Sequence, residues 1–264
     1  MTIPSSAPRQ QGPARGVQWA KRLLGVCAAG CVAAVLAACS SSSPNSPSTS
    51  SGSPVSSSSP ATPASAATPA SLSQLEKIVL QPADLPSGWK GVPYQPGPND
   101  AAESTALVKC VGGRNTDSDR VAEAHSDDFA LGDAGISSSA ASFRSQSDVD
   151  ANVAKLHSPK VSPCLEQIFK KQLAASLPAG GTVESASVKI TPGPAGGPAN
   201  VVATVTGTVK VRLPGQLVPL YLTAAFITGP LIEAEVDAEN VGTPVPASVV
   251  NPLVATVATR AVKG

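Results

Sequence analysis

The sequence predicts an α+β fold: an antiparallel β-sheet meander packed by N-terminal, central and C-terminal helices and closed by one disulfide. Three observations carry that expectation. Apolar residues recur at three- and four-residue intervals around Leu75, Leu165 and Leu253, they alternate with polar residues from Ala186 to Ala238, and two cysteines, Cys110 and Cys164, stand apart from the N-terminal region.

Ser73-Gln74-Leu75-Glu76 has the spacing of a capping box, and Leu75, Ile78 and Val79 follow at helical intervals, so a short helix is expected to run toward Pro82. Asp84, Pro86 and Gly88 signal turns, with Trp89 and Tyr94 as apolar anchors beyond them. Ala106 to Val111 reads as a helical turn or a short strand, and Phe129 to Phe143 reads as strands of small and polar residues. Ser147 and Asp150 precede a short helix carrying Val149, Val153 and Leu156. Ser162-Pro163 reads as an N-cap with proline at the first helical position, followed by the stripe Leu165, Ile168, Phe169 and Leu173, with Cys164 beside it.

Beyond Pro178 the period changes to two. Ala186, Val188 and Ile190 form an even-numbered apolar face; Val201, Ala203, Val205, Val209, Val211 and Leu213 form an odd-numbered one. The proline- and glycine-rich segment 192–198 is long enough to reverse the chain between them. Leu217 to Ile227 is continuously apolar, as in a strand covered on both faces, and Ile232, Ala234, Val236 and Ala238 then alternate with Glu233, Glu235, Asp237 and Glu239. Four strands in succession imply an antiparallel meander. Asn251-Pro252 is expected to cap a last helix whose Leu253, Val254, Val257, Ala258 and Ala261 face the core, with Lys263 favourably placed at its C-terminal end.

The N-terminal region has a different character. Arg9, Arg15, Lys21 and Arg22 precede an apolar run of 16 residues, Leu23 to Ala38. That order is a signal peptide's, and the run is shorter than the roughly 20 residues of a membrane-spanning helix. Leu36-Ala37-Ala38-Cys39 resembles the lipobox of bacterial lipoproteins. The resemblance implies cleavage before Cys39 and a diacylglyceryl thioether on its sulfur, whose two chains make membrane attachment durable. Secretion without lipid is the competing reading. Residues 1–38 are thus expected to be a signal peptide, 39–71 a lipidated cysteine with a Ser/Pro/Ala/Thr-rich tether, and 72–264 a single extracytoplasmic domain on the outer face of the cell membrane. The tether carries no charge and one larger apolar residue, Val55, so it cannot offset its ordering entropy; as a coil it would span about 30 Å. Its composition also resembles O-glycosylated stalks.

Removing the four basic residues of the leader from the nineteen in the chain leaves fifteen against eighteen acidic ones, a balance of −3. Nucleic acid is therefore not expected as a partner. In an oxidising compartment Cys110 and Cys164 read as a disulfide, with two separate buried thiols as the alternative. No metal is expected, because His125 and His157 show no ligand spacing and are read as exposed, and the aspartates Asp117, Asp119, Asp127, Asp128 and Asp133 have no calcium-loop pattern. The acidic row of Glu233 to Glu239 reads as a solvated face, partly neutralised by Lys210 and Arg212 across the sheet. Ser87-Gly88-Trp89-Lys90 matches Ser-x-x-Lys, but Pro86 and Gly88 oppose the helix that motif needs. No nucleophile elbow or phosphate-cradling loop is found, so no catalytic residue or cofactor is expected.

The Ser/Pro-rich stalk, the phrase Leu80-Gln81-Pro82-Ala83-Asp84-Leu85-Pro86-Ser87-Gly88-Trp89 and a cysteine in each half of the domain resemble actinobacterial, especially mycobacterial, cell-envelope lipoproteins. The domain is also similar to PsbP/Mog1-like lipoprotein domains and to extracellular sensor domains of mycobacterial kinases. These resemblances imply a non-enzymatic binding or sensing domain for a lipid, a small ligand or an envelope protein. An envelope hydrolase and a structural or adhesion protein are the alternatives.

Overall fold

The structure, a computed structural model, describes residues 67–96, 100–193 and 198–263. Cys39, the apolar run before it, the tether up to residue 66 and part of the 192–198 loop lie outside the described residues. In chain order the elements are α1 (Leu72–Ile78), β1 (Lys90–Val92), α2 (Asp100–Val111), β2 (Arg120–His125), β3 (Asp128–Leu131), β4 (Ala134–Phe143), α3 (Gln146–Leu156) and α4 (Val161–Ser176). Then come β5 (Thr182–Pro192), β6 (Val201–Leu213), β7 (Gln216–Gly229), β8 (Ile232–Val241) and α5 (Ala247–Lys263).

All strand pairs are antiparallel, in the order β1-β3-β4-β8-β7-β6-β5, with β2 also pairing along β4. The four-strand meander β5 to β8 is as expected. After β4 the chain crosses one sheet face as α3 and α4, starts the meander at the far edge, and returns to set β8 against β4. This is the α+β architecture the periodicity predicts, with helices on both faces of one sheet. On one face α2, α3 and α4 bury Leu107, Val149, Leu165, Phe169 and Leu173 against Val205, Val211 and Phe226. On the other, α1 and α5 bury Leu75, Ile78, Val257 and Ala261 against Ile232, Val236 and Ile227.

Several starts and registers differ from expectation. The capping box of α1 is Ser71 with Gln74, two residues earlier, where the Ser71 N–H donates to Gln74 Oε1 at 2.8 Å. Folded structure already includes Ala70, which is buried and whose carbonyl accepts a 2.8 Å hydrogen bond from Ser142 Oγ. Helix α4 begins at Val161, because Val161 itself is buried; Pro163 still falls within the first turn, where its missing N–H has no helical partner to lose. Helix α5 begins at Ala247, which leaves Pro252 inside it. Val250 explains this: it extends the stripe of Leu253, Val254, Val257 and Ala261 by one turn, and its burial offsets the backbone bond that proline removes. A register shift in β6 between Val201 and Ala203 turns Val201 to the α1/α5 side while Ala203 faces the α4 side. In β7 only Ala224 to Ile227 is buried on both faces, and Leu217 is 48% exposed, because the β6–β7 hairpin runs out past the helices. No helix among the described residues is long and apolar enough to cross a membrane.

Candidate functional site

Strand β8 lies in the middle of the sheet, so both its faces are covered. That position overturns the solvated reading of the acidic row: Glu235 and Asp237 are each 5% exposed and Glu239 8%. Lys210 and Arg212 do not neutralise it. Strand β7 separates β6 from β8, the two basic residues point to the opposite sheet face, and Arg212 Nε donates instead to Glu184 Oε1 at 2.5 Å.

The register places a row of side chains across the face: His125, Ser139, Glu235 and Phe226 in one line, Ser137, Asp237 and Ala224 in the next, and Gly135, Glu239 and Leu222 in the third. Gly135 leaves room for that row, since a Cβ at that position would stand 2.8 Å from Glu239 Oε1 and displace its side chain. At the other end of the row Asn152, on α3, donates to Glu233 Oε1 at 2.7 Å and accepts at its Oδ1 from Thr116 Oγ1 at 2.8 Å and from Lys155 Nζ at 3.1 Å. A cleft opens over this end of the sheet, lined by Arg120, Glu123, Ser139, Phe226, Glu233 and Glu235. Arg120 forms an ion pair with Glu123.

Electrostatics follow from burial. Loss of solvent pushes the Glu235 carboxyl well above the usual carboxylate range; the Asp237 charge, a hydrogen bond to Asp237 and the Glu233 charge add to the rise. Burial likewise pushes Asp237 up to about 7; the bond from Glu235 pulls it down, and the Asp128 charge raises it. Asp128 is itself raised by burial and then by Asp127. Neither Glu235 Oε1 nor Asp237 Oδ1 has a hydrogen-bond donor from elsewhere among the described residues.

Other residues singled out from the sequence separate clearly. Cys110 and Cys164 are joined as a disulfide between α2 and α4, with Cα atoms 5.9 Å apart. Ser87 and Gly88 occupy a turn and Lys90 opens β1, so the Ser-x-x-Lys spacing is not helical. His157 caps the end of α3 and is exposed. His125 is not: it lies half-buried on β2, its ring stacked on Tyr94 with centroids 3.9 Å apart and its Nε2 3.5 Å from Glu123 Oε1. Asp128 is part of β3. The described residues hold no group of three or more His, Cys, Asp or Glu placed to bind a metal ion.

Asp84, within the proline-tryptophan phrase, receives both Arg260 guanidinium nitrogens, at 2.7 and 2.8 Å. Burial pulls its carboxyl upward, but the Arg260 hydrogen bond, the Gln81 N–H and the Arg260 charge outweigh that and hold it below its usual value. The phrase is thus a clamp between α1 and α5, remote in role from the cleft.

Sequence reading missed the pair Glu235 and Asp237 as a site. The available signal was the small-residue strand opposite, Gly135 to Ser139, which leaves room for carboxyl groups on a neighbouring strand.

No protein-family model matches the chain, and no curated protein does. Among solved structures, the extracellular domain of PknH from Mycobacterium tuberculosis is similar at 9% identity with a TM-score of 0.40, covering 73% of this chain and 97% of that one.

Proposed function

We propose that this is a lipid-anchored extracytoplasmic domain that binds a small polar ligand in the cleft over β2, β4 and β8 and catalyses no reaction on it. The observation that supports this reading is the lining: Glu123, Glu233 and Glu235 converge with Arg120 over Phe226 in one surface depression. Carboxylates that outnumber their cation favour a ligand bearing an ammonium group or several hydrogen-bond donors, and disfavour an acyl chain. Anchoring through Cys39 is supported by the lipobox-like Leu36-Ala37-Ala38-Cys39 after a charged and apolar leader.

Native mass spectrometry of the purified chain tests the ligand. A small polar molecule retained by the parent and lost from Glu233→Ala supports the reading; a bound amphiphile, or an empty parent, counts against it. Detergent partitioning tests the anchor, which is abandoned if Cys39→Ala partitions like the parent. One observation favours a second reading, a hydrolase: Glu235 is a carboxyl at a cleft that burial raises well above the usual carboxylate range, as a general acid's is. Against it, the other two carboxylates of the cleft are already engaged, Glu123 by Arg120 and Glu233 by Asn152.

A further inference from the structure

Two carboxyl groups on alternate residues of one strand face lie about 7 Å apart at the backbone, close enough for their side chains to meet. Leaving two ionised carboxylates side by side away from water costs several kcal/mol per charge in order of magnitude, unless a positive group lies between them. The neighbours of Glu235 and Asp237 supply none. Opposite Glu235 stand Ser139 on β4 and Phe226 on β7; opposite Asp237 stand Ser137 and Ala224. Asp128 on β3 and Glu233 on β8 add negative charge, and Glu239 lies further along the same row. From β2, His125 faces the row beyond Ser139, and Arg120 and Glu123 are paired with each other. From α3, Lys155 and Asn152 meet at the Glu233 end. On the opposite sheet face β8 is packed by apolar residues of α1 and α5.

We infer that Glu235 and Asp237 share a proton, and that this buried pair makes the domain a pH-responsive element whose fold is tightest in mildly acidic surroundings. Below about 7 both carboxyls are protonated; above it the remaining proton lies on Glu235, whose O–H donates to the Asp237 carboxylate. The second step rests on the cleft being the binding site: Glu235 lines it, so loss of the shared proton adds a negative charge to the cleft and strengthens its hold on cationic groups as pH rises.

The direction follows from linkage. Both carboxyls are raised in the folded state, so their contribution to stability is complete below the ordinary carboxylate range and is lost as pH rises through the folded values, about 7 for Asp237. The pair titrates as a unit.

The test uses the full-length chain in detergent. Infrared difference spectra of the parent should retain a protonated-carboxyl C=O stretch at pH 6, where exposed carboxylates have ionised, and the double variant Glu235→Gln/Asp237→Asn should remove it. In denaturant titrations, the parent's unfolding equilibrium constant should rise by up to about a hundredfold per pH unit between the ordinary carboxylate range and the folded Asp237 value, relative to the double variant Glu235→Gln/Asp237→Asn, which carries the same two histidines. A parent without the infrared band at pH 6 overturns the inference even if the double variant fails to fold. Equal pH slopes in the parent and a folded double variant overturn it as well. Both measurements need no ligand, so an empty cleft in native mass spectrometry leaves the proton-sharing pair standing, and an absent band leaves the cleft reading standing.

Discussion

Asp84 shows how a single side chain ties distant segments together. It accepts two hydrogen bonds from Arg260 on α5 and one from the Gln81 N–H, while Leu80 N–H donates to Ser138 Oγ at 2.8 Å. Charge-assisted, paired hydrogen bonds at a partly buried site are worth more than surface ion pairs. Asp84→Ala is expected to lower stability by about 1–3 kcal/mol at pH 7, measured by urea denaturation. Its lowered folded value means that this stabilisation is present above the ordinary aspartate range and is lost as pH falls through the folded value. The gap between parent and variant should therefore close in strong acid. The sequence phrase around Asp84 was legible as a turn with apolar anchors, because prolines and glycine act locally. That its aspartate meets an arginine 176 residues away was not. The acidic row has the same limit: alternation marks two different faces of β8, but only the strand's central place in the sheet decides that both are buried.

At the scale of elements, the β7–β8 turn and α5 fit with no spare room. A Cβ on Gly229 would stand 2.1 Å from the carbonyl oxygen of Ala261, in the last turns of the helix. Backbone on both sides cannot yield as a side-chain tip does, so Gly229→Ala should displace the end of α5. The expected loss is of the order of 1–3 kcal/mol, read as a lower denaturant midpoint, with faster amide exchange at the C-terminal end of α5 than in α4. Periodicity placed the α4 stripe and the final meander because those signals repeat every two or four residues. Boundaries escaped it where burial ruled instead: Val250 draws α5 back past Pro252, and the shift after Val201 changes which core a valine joins. Neither event leaves a mark in the local pattern.

For the whole molecule, the disulfide joins two helices of one layer across a sequence separation of 54 residues. Closing such a loop stabilises the fold by about 4 kcal/mol in the chain-entropy model, a large part of the total for one domain. The double variant Cys110→Ala/Cys164→Ala should show that loss in equilibrium unfolding, with little change in cleft ligand retention, because neither cysteine lines the cleft. Two cysteines, read as standing in an oxidising compartment, made this crosslink readable in advance. The placing of β4 beside β8 was not, since it joins segments separated by two helices and three strands.

The crosslink and the entry of the chain into the fold lie on opposite layers. A pull from the N-terminal side enters at Ala70 and α1, which rest on the α5 layer; the disulfide braces α2 and α4 on the other. Tension applied at the N-terminal end of the described residues would thus be borne without covalent help, first by the Ser142 bond to Ala70 and the Asp84–Arg260 clamp. The yielding part under load is α1, which would peel away from β2 and β4 and bare the apolar face of the sheet while the cleft side stays stapled.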